Sequence, residues 1–414
     1  MRKLIFFFLL ASAFSAFGQN KVLFDASQGE TAANADWIPD ADLFNLCFNP
    51  NATTGCGNEA NPQQTPTPAQ SGITATTGES YWKGALSAFA VDCVKKGYSV
   101  STLPYNGQIT FNNTANAQDL SLYKVFVVCE PNIRFATAEK TAIINWVYAG
   151  GSLLMIGNHN GSDRNSDGWD APAIWNDLLT NNSVANNPFG ISFDLTNFSQ
   201  TTTNIITTAN PISAGPQGTV TQFQYSSGTS MTLSPTANST VRGVVYKTGS
   251  TQGNYNAMVA YAKYGSGRVV AIGDSSPIDD GTGDTNDNLY NGYSAAVSGN
   301  HRKLLINSLL WLQGVTNKGE VQPTEMAVTT PHAVAVTLYP NPTNGDILLN
   351  AAPGAQLTGL VVADLQGKIW IEQQQPVPTG NGQYVIEANG FPAGVYLVHY
   401  QEGGQVYSHK FVKL

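Results

Sequence analysis

Four short apolar runs in this chain end in side chains able to bind a cation, move a proton or activate water. Val22–Phe24 runs into Asp25, Val125–Val128 into Cys129 and Glu130, Leu153–Ile156 into Asn158 and His159, and Val269–Ile272 into Asp274, Ser275 and Ser276. Ligands of open parallel sheets bind beyond the carboxyl ends of the strands, so these junctions are where a site is expected. Were Asp25, Glu130 and Asp274 to approach to about 4 Å, each ionised pair would cost on the order of 4 kcal/mol at an effective dielectric near 20. A divalent cation offsets that cost, as does protonation of one carboxylate. A cation held by Asp25 and Asp274, with His159 as ligand or general base and Glu130 orienting water or acting as general acid, makes a metal-dependent hydrolase. The competing reading has Asp25 and Asp274 capping the turns that follow them.

A second acidic cluster has the more specific spacing. Asp163, Asn165, Asp167, Gly168 and Asp170 in SDRNSDGWD put oxygen ligands at alternate positions and a glycine at the turn, as in the first half of an EF-hand-type calcium loop. The twelfth position is Ile174 where that loop has Glu, so a bidentate ligand must come from Asp177 or from the acidic loop with Asp279, Asp280, Asp284 and Asp287. A solvated Asn/Asp turn is the alternative. Ser27, Glu30, Asp36 and Trp37 lie just beyond the first run, and Trp37, Trp169, Trp175 and Tyr290 are candidates to stack on a sugar or simply to pack. GDSSP at Gly273–Pro277 is not G-x-S-x-G, which sets aside Ser275 as a serine-hydrolase nucleophile.

These residues need a scaffold, and the spacing of apolar residues predicts one. Between Lys21 and Gly314, short β-type runs (the four above and Tyr98–Leu103) alternate with helix-period segments, the pattern of an α/β domain with a parallel sheet flanked by helices. Helices are predicted from about Tyr81 to Lys96, from a Thr137 cap to Gly150, and from His301 to Gln313. Asp40–Glu79 is a polar insertion. Phe189–Tyr264, rich in Thr, Ser, Gly and β-branched residues, reads as a β-rich excursion, and residues 315–331 as a linker.

Composition narrows the function class. The 414 residues are 42% hydrophobic and only 12% charged, enough to bury two or three cores. A net charge of -8 leaves no basic footprint for a nucleic-acid backbone. Met1 to about Gly18 reads as a signal peptide: Arg2 and Lys3 precede the apolar run Leu4–Leu10, and Ala16 and Gly18 sit at the cleavage positions. No later stretch is long and apolar enough for a transmembrane helix, so a soluble mature chain is expected. In an oxidising compartment Cys47 and Cys56 are placed for a local disulfide, whereas Cys93 and Cys129 read as buried hydrophobes.

The last part of the chain carries LYPNPTNG at Leu338–Gly345, ADLQGK at Ala363–Lys368, AGVYLVHY at Ala393–Tyr400 and the ending HKFVKL. In this order the blocks resemble the type A C-terminal sorting domain of type IX secretion, the outer-membrane export route of Bacteroidetes-type bacteria. That resemblance implies a small all-β sandwich over residues 332–414, the type IX machinery as partner, and passage through the periplasm to the outer surface or beyond.

A second resemblance covers most of Lys21–Gly314. YKVFVVCEPN, AGGSLLMIG, NPISAGP and YAKYGSGRVVAIGDSS follow one another as in the class I glutamine amidotransferase-like superfamily, particularly its trehalose-utilisation-type branch. That family places its nucleophilic cysteine as G-x-C-x-G, but this chain has His159 between Gly157 and Gly161, so glutamine hydrolysis is not expected. The reading that follows is an exported, divalent-metal-dependent hydrolase acting on a sugar or phosphoester. The alternative is a non-catalytic, calcium-stabilised glycan-binding or surface module.

Overall fold

The computed structural model describes residues 21–32, 35–41, 68–105, 107–281, 290–294, 300–314, 337–351, 357–364, 368–373, 375–379, 382–402 and 405–414. The expected signal peptide and linker, the Cys47/Cys56 pair and the carboxylates Asp284 and Asp287 lie outside the described residues. The chain divides into two compact units, Met1–Val321 and Gln322–Leu414.

The first unit is built on a nine-stranded sheet. Its strands are β1 (Lys21–Asp25), β2 (Ser99–Leu103), β3 (Val125–Cys129), β4 (Ser152–Ile156), β5 (Ile191–Phe193), β6 (Met231–Leu233), β7 (Arg242–Tyr246), β8 (Ala257–Tyr264) and β9 (Gly267–Ile272). The order is β2-β1-β3-β4-β9-β8-β6-β5, with β7 also paired to β8. All five apolar runs are strands, and β2, β1, β3, β4 and β9 are parallel. The expected parallel sheet is only half the story. The excursion folds back into the same sheet, with β8 antiparallel to β9 and with β7, β6 and β5 beyond it. A ribbon of Phe198–Thr202 and Phe223–Gly228 stands apart as an antiparallel pair.

Alternation along the parallel strands sorts their side chains onto two cores. Val22, Phe24, Val125, Val127, Leu154, Ile156, Val270 and Ile272 pack on one face with Phe89 of α1 (Ser87–Lys95) and Leu305 and Leu309 of α4 (Asn300–Leu312). Leu23, Phe126, Val128, Leu153 and Met155 point the other way. They meet Ile143, Trp146 and Val147 of α2 (Thr137–Ala149) and Ile174, Trp175 and Leu178 of α3 (Ala171–Thr180). Each large side chain so buried contributes about 2 kcal/mol.

Three helix details depart from the sequence reading. α1 starts at Ser87 rather than near Tyr81, because the N–H groups of Gly84, Ala85 and Leu86 bond the carbonyls of Pro39, Asp36 and Ile38. Thr137 is the first helical residue of α2, not its cap, and Glu139 Oε2 accepts from Ala136 N at 2.8 Å. The helix α3 was not anticipated. Asp170 is its N-cap, with Oδ1 accepting from Ala173 N at 3.0 Å, and Pro172 lies in its first turn.

The second unit is all β. Strands β10 (Thr337–Tyr339), β11 (Ile347–Asn350) and β14 (Gln383–Ile386) form one sheet; β12 (Leu357–Asp364), β13 (Ile369–Gln373), β15 (Gly394–Glu402) and β16 (Gln405–Lys413) form another. Ile347, Leu349 and Ile386 of the first share one core with Leu360, Val362, Val398 and Phe411 of the second, which is a sandwich. Among the described residues no helix is long and apolar enough to cross a membrane.

Candidate functional site

The acidic strand ends are buried, and each is engaged by its own neighbourhood. Asp25 closes β1 with Oδ1 accepting from Ser27 N at 2.9 Å and Ser27 Oγ at 2.6 Å. Glu30 is buried beside it, with Oε2 accepting from Gln28 N at 3.0 Å. Burial pushes both carboxyls upward, and for Glu30 the charge of Asp25 adds to the push. Asn132 ties this loop down, donating from Nδ2 to the carbonyls of Gly29 and Thr31.

Glu130 follows β3 with φ 51°, a left-handed conformation that costs a non-glycine residue on the order of 1 kcal/mol. The surroundings hold it there: its N–H bonds Ile156 O, and its carbonyl accepts from Asn132 Nδ2 at 3.1 Å. The side chain is fully buried. Oε1 meets Arg164 Nε and Nη2, each at 3.0 Å, and Oε2 accepts from Ser275 Oγ at 2.9 Å. Burial raises its pKa, and Arg164, Asn158 and Ser275 only partly oppose that.

Asp274 follows β9. Its Oδ1 accepts from Ser276 N at 2.9 Å and its Oδ2 from Ser226 N at 2.7 Å, which fastens the 223–228 ribbon over the sheet end. A Cβ on Gly228 would come within 2.6 Å of the Asp274 Cβ, so the ribbon needs glycine there. Burial raises Asp274 to about 7. Asp279 is fixed by Gly281 N and Tyr290 N at 2.9 and 2.7 Å and raised to about 8, again by burial.

His159, half-buried, lies at the end of β4. Its Nδ1 is 2.8 Å from Asn160 O, and a carbonyl only accepts, so Nδ1 donates there and orients the ring. A cleft of about 220 Å³ opens here. β4 brings Asn158 and His159, the following loop Arg164, the ribbon Ser226 and Ser227, and β9 Ser275 and Ser276, with Tyr290 on the rim.

The structure therefore joins part of the expected constellation. Glu130, His159 and the Asp274–Ser276 turn border one region, whereas Asp25 lies beside Glu30 instead. Among the described residues no three His, Cys, Asp or Glu side chains gather where they could hold a metal ion. Asp25 and Asp274 turn oxygens to the amides of Ser27, Ser276 and Ser226, and Glu130 turns its oxygens to Arg164 and Ser275 Oγ.

The same holds in the calcium-like loop. Asp163 accepts from Asp167 N and Gly168 N, Asn165 Oδ1 from Asp167 N, and Asp167 from Trp169 N, while Asp170 caps α3 and takes Gly161 N. Chelation with EDTA is expected to leave the melting temperature unchanged. A fall in Tm reversed by added calcium would identify Asp163, Asn165, Asp167 and Asp170 as ligands.

Sequence reasoning passed over Arg164 and the ribbon serines. Arg164 is the only cation in SDRNSDGWD, and a basic residue inside an acidic run was the available signal. The free cysteines Cys93 and Cys129 are buried, with thiols pushed well up by burial, so neither is a nucleophile.

Comparison with solved structures finds weak likenesses. The mmIFT52 N-terminal domain is 14% identical, with a TM-score of 0.39 over 72% of this chain and 98% of that one. A cytoplasmic protein from Salmonella typhimurium is 13% identical, with a TM-score of 0.32 over 54% and 85%. A β-galactosidase from Bacillus circulans sp. alkalophilus is 12% identical, with a TM-score of 0.30 over 76% and 38%. At such TM-scores these likenesses assign neither fold nor activity. No curated protein matches the chain. Residues 337–414 match the family model of the secretion system C-terminal sorting domain. The all-β second unit is thus a type IX secretion sorting domain, which directs the protein to secretion or to the outer surface.

Proposed function

We propose that the first unit is an exported ligand-binding domain of the amidotransferase-like α/β class, and that its cleft holds a neutral, hydroxyl-rich ligand of carbohydrate type. The lining carries this reading: among the described residues, every one that borders the cleft offers a hydrogen-bonding side chain, and none is aliphatic. Such a surface replaces the water around a sugar hydroxyl but offers little to an apolar ligand. Arg164 is the only cation in the cleft, and Glu130 neutralises it. A phosphoester would meet the buried carboxyls of Glu130 and Asp274 with no surplus positive charge, so the sugar is preferred to the phosphoester. The amidotransferase-like class is supported by five parallel strands with helices on both faces and by the position of His159. Glutamine hydrolysis is not proposed, since no accessible thiol stands there.

A hydrolytic reading rests on one observation, an imidazole in the cleft, His159, whose Nδ1 is anchored on Asn160 O. Titration calorimetry and a turnover assay against a panel of soluble oligosaccharides separate the two. For a binding module, His159→Ala is expected to weaken affinity by about tenfold, one good hydrogen bond to a ligand. For a hydrolase, the same variant loses turnover and largely keeps affinity. If no oligosaccharide binds the wild type, the carbohydrate assignment fails.

A further inference from the structure

A second cavity, of about 280 Å³, opens between the end of α1 and the start of α4 and shares no residue with the cleft. Asp92, Lys95 and Lys96 line it from α1 and its C-cap, and Arg302, Lys303 and Ile306 from α4. In a chain of net charge -8, four cations here stand against two carboxylates, Asp92 in the lining and Glu79 behind Arg302, a local reversal of the protein's overall sign. Arg302 is the anchored member. Its Nη2 meets Asp92 Oδ1 at 2.7 Å and its Nη1 meets Glu79 Oε1 at 2.6 Å. The three lysines have no ion-pair partner among the described residues. Instead, Lys95 Nζ donates to Thr77 O at 2.7 Å and Lys303 Nζ to Thr219 O at 3.2 Å, contacts that position the ammonium groups without neutralising them.

Helix electrostatics explain only half of this arrangement. Lys95 in the last turn of α1 complements the negative end of that helix dipole. Arg302 and Lys303 do the opposite, standing in the first turn of α4, where the dipole disfavours positive charge; Asp92 and Glu79 compensate Arg302, whereas Lys303 has no carboxylate partner among the described residues. An arrangement that costs stability in the empty domain is offset when an anion is bound.

We infer that this cavity binds an oxyanion ester, a sulfate or phosphate group carried on a larger polar molecule, with Lys95, Lys96 and Lys303 as the charged contacts and Arg302 as the fixed wall. The probe is fluorescent dextran sulfate, followed by anisotropy on the full chain. Binding is expected at low salt and should weaken by about tenfold or more between roughly 50 and 200 mM NaCl, as counter-ions return. Neutral dextran should not bind, and inorganic sulfate should compete. Lys95→Glu/Lys303→Glu should abolish the signal. Lys96→Glu alters only an exposed side chain, so it keeps the test open should the double variant fail to fold; it should cut affinity by about tenfold. Arg242→Glu, an equal change of charge elsewhere on the domain, should not. The inference is overturned if Lys96→Glu and Arg242→Glu bind like the wild type, if neutral dextran binds as tightly, or if inorganic sulfate fails to compete.

Discussion

Shifting the purified protein from pH 8 to pH 6 is expected to raise its melting temperature, contrary to what salt-bridged surface carboxylates alone would give. Asp279 and Asp274 are lifted by burial to about 8 and about 7, Asp25 to about 6, and Glu30 upward as well. In the unfolded chain such groups titrate near 4. The folded protein therefore holds protons that the unfolded chain has already released. That contribution is fully present below about pH 4 and is lost as the pH climbs through the folded values. Each unit of displacement is worth about 1.4 kcal/mol, so across two pH units the sum over several groups reaches several kcal/mol.

His301 works in the other sense. It is buried, donates from Nδ1 to Gly292 O at 3.0 Å, accepts at Nε2 from Gln224 N at 3.0 Å, and is depressed to about 4, so its contribution falls away only as the pH drops below about 6.5. The window from pH 8 to pH 6 isolates the carboxyls. Thermal melts at pH 8, 7 and 6 decide the matter: a flat or falling Tm on acidification would mean that these groups are ionised in the folded state and that the turn amides, not burial, govern them.

Gly267→Ala is expected to cost about 3 kcal/mol or more, the range of severe overpacking against rigid backbone. A Cβ at this position would lie 1.9 Å from Val147 O and 2.3 Å from Gly151 O, at the point where β9 enters beneath the end of α2. Neither carbonyl can retreat without breaking the helix end. Gly253→Ala is the control, since nothing lies within 4 Å of its Cβ position. Urea denaturation of the two variants should separate them widely. A Gly267→Ala protein as stable as Gly253→Ala would show that the helix end moves aside freely.

That glycine also shows where the sequence was legible. AGGSLLMIG and YGSGRVV read as blocks of a familiar order, and the contact explains them: Gly151 lies against the Trp146 ring and Gly267 against α2, so a helix end and two strand starts meet with no room for side chains. The five parallel strands were equally visible, because a run buried on both faces must be apolar throughout. The antiparallel extension was not. Strands β5 and β6 have three residues each, and their polar flanks look like loop.

Helix α3 was obscured for a different reason. Asp170 fits both an acidic ligand series and a helix cap, and only the apolar spacing of Ile174, Trp175, Leu178 and Leu179 distinguishes them. At the site, strand-end carboxyls could be listed from sequence, but not what would claim their lone pairs. Ser226, which takes Asp274 Oδ2, comes from a ribbon far along the chain. Arg164, which takes Glu130, comes from the loop first read as a calcium site.

The sheet order has a kinetic corollary. β4 is hydrogen-bonded on one side to β3 and on the other to β9, and the whole excursion lies between β4 and β9 in the chain. Until residue 267 emerges and docks, β4 remains a raw edge, four parallel strands deep, able to pair with a neighbouring molecule. Closure through so distant a partner makes for high contact order and slow maturation. Chains cut short before β9 should therefore clump rather than fold into a smaller domain, and assembly of the parallel layer is a late event in the life of each molecule.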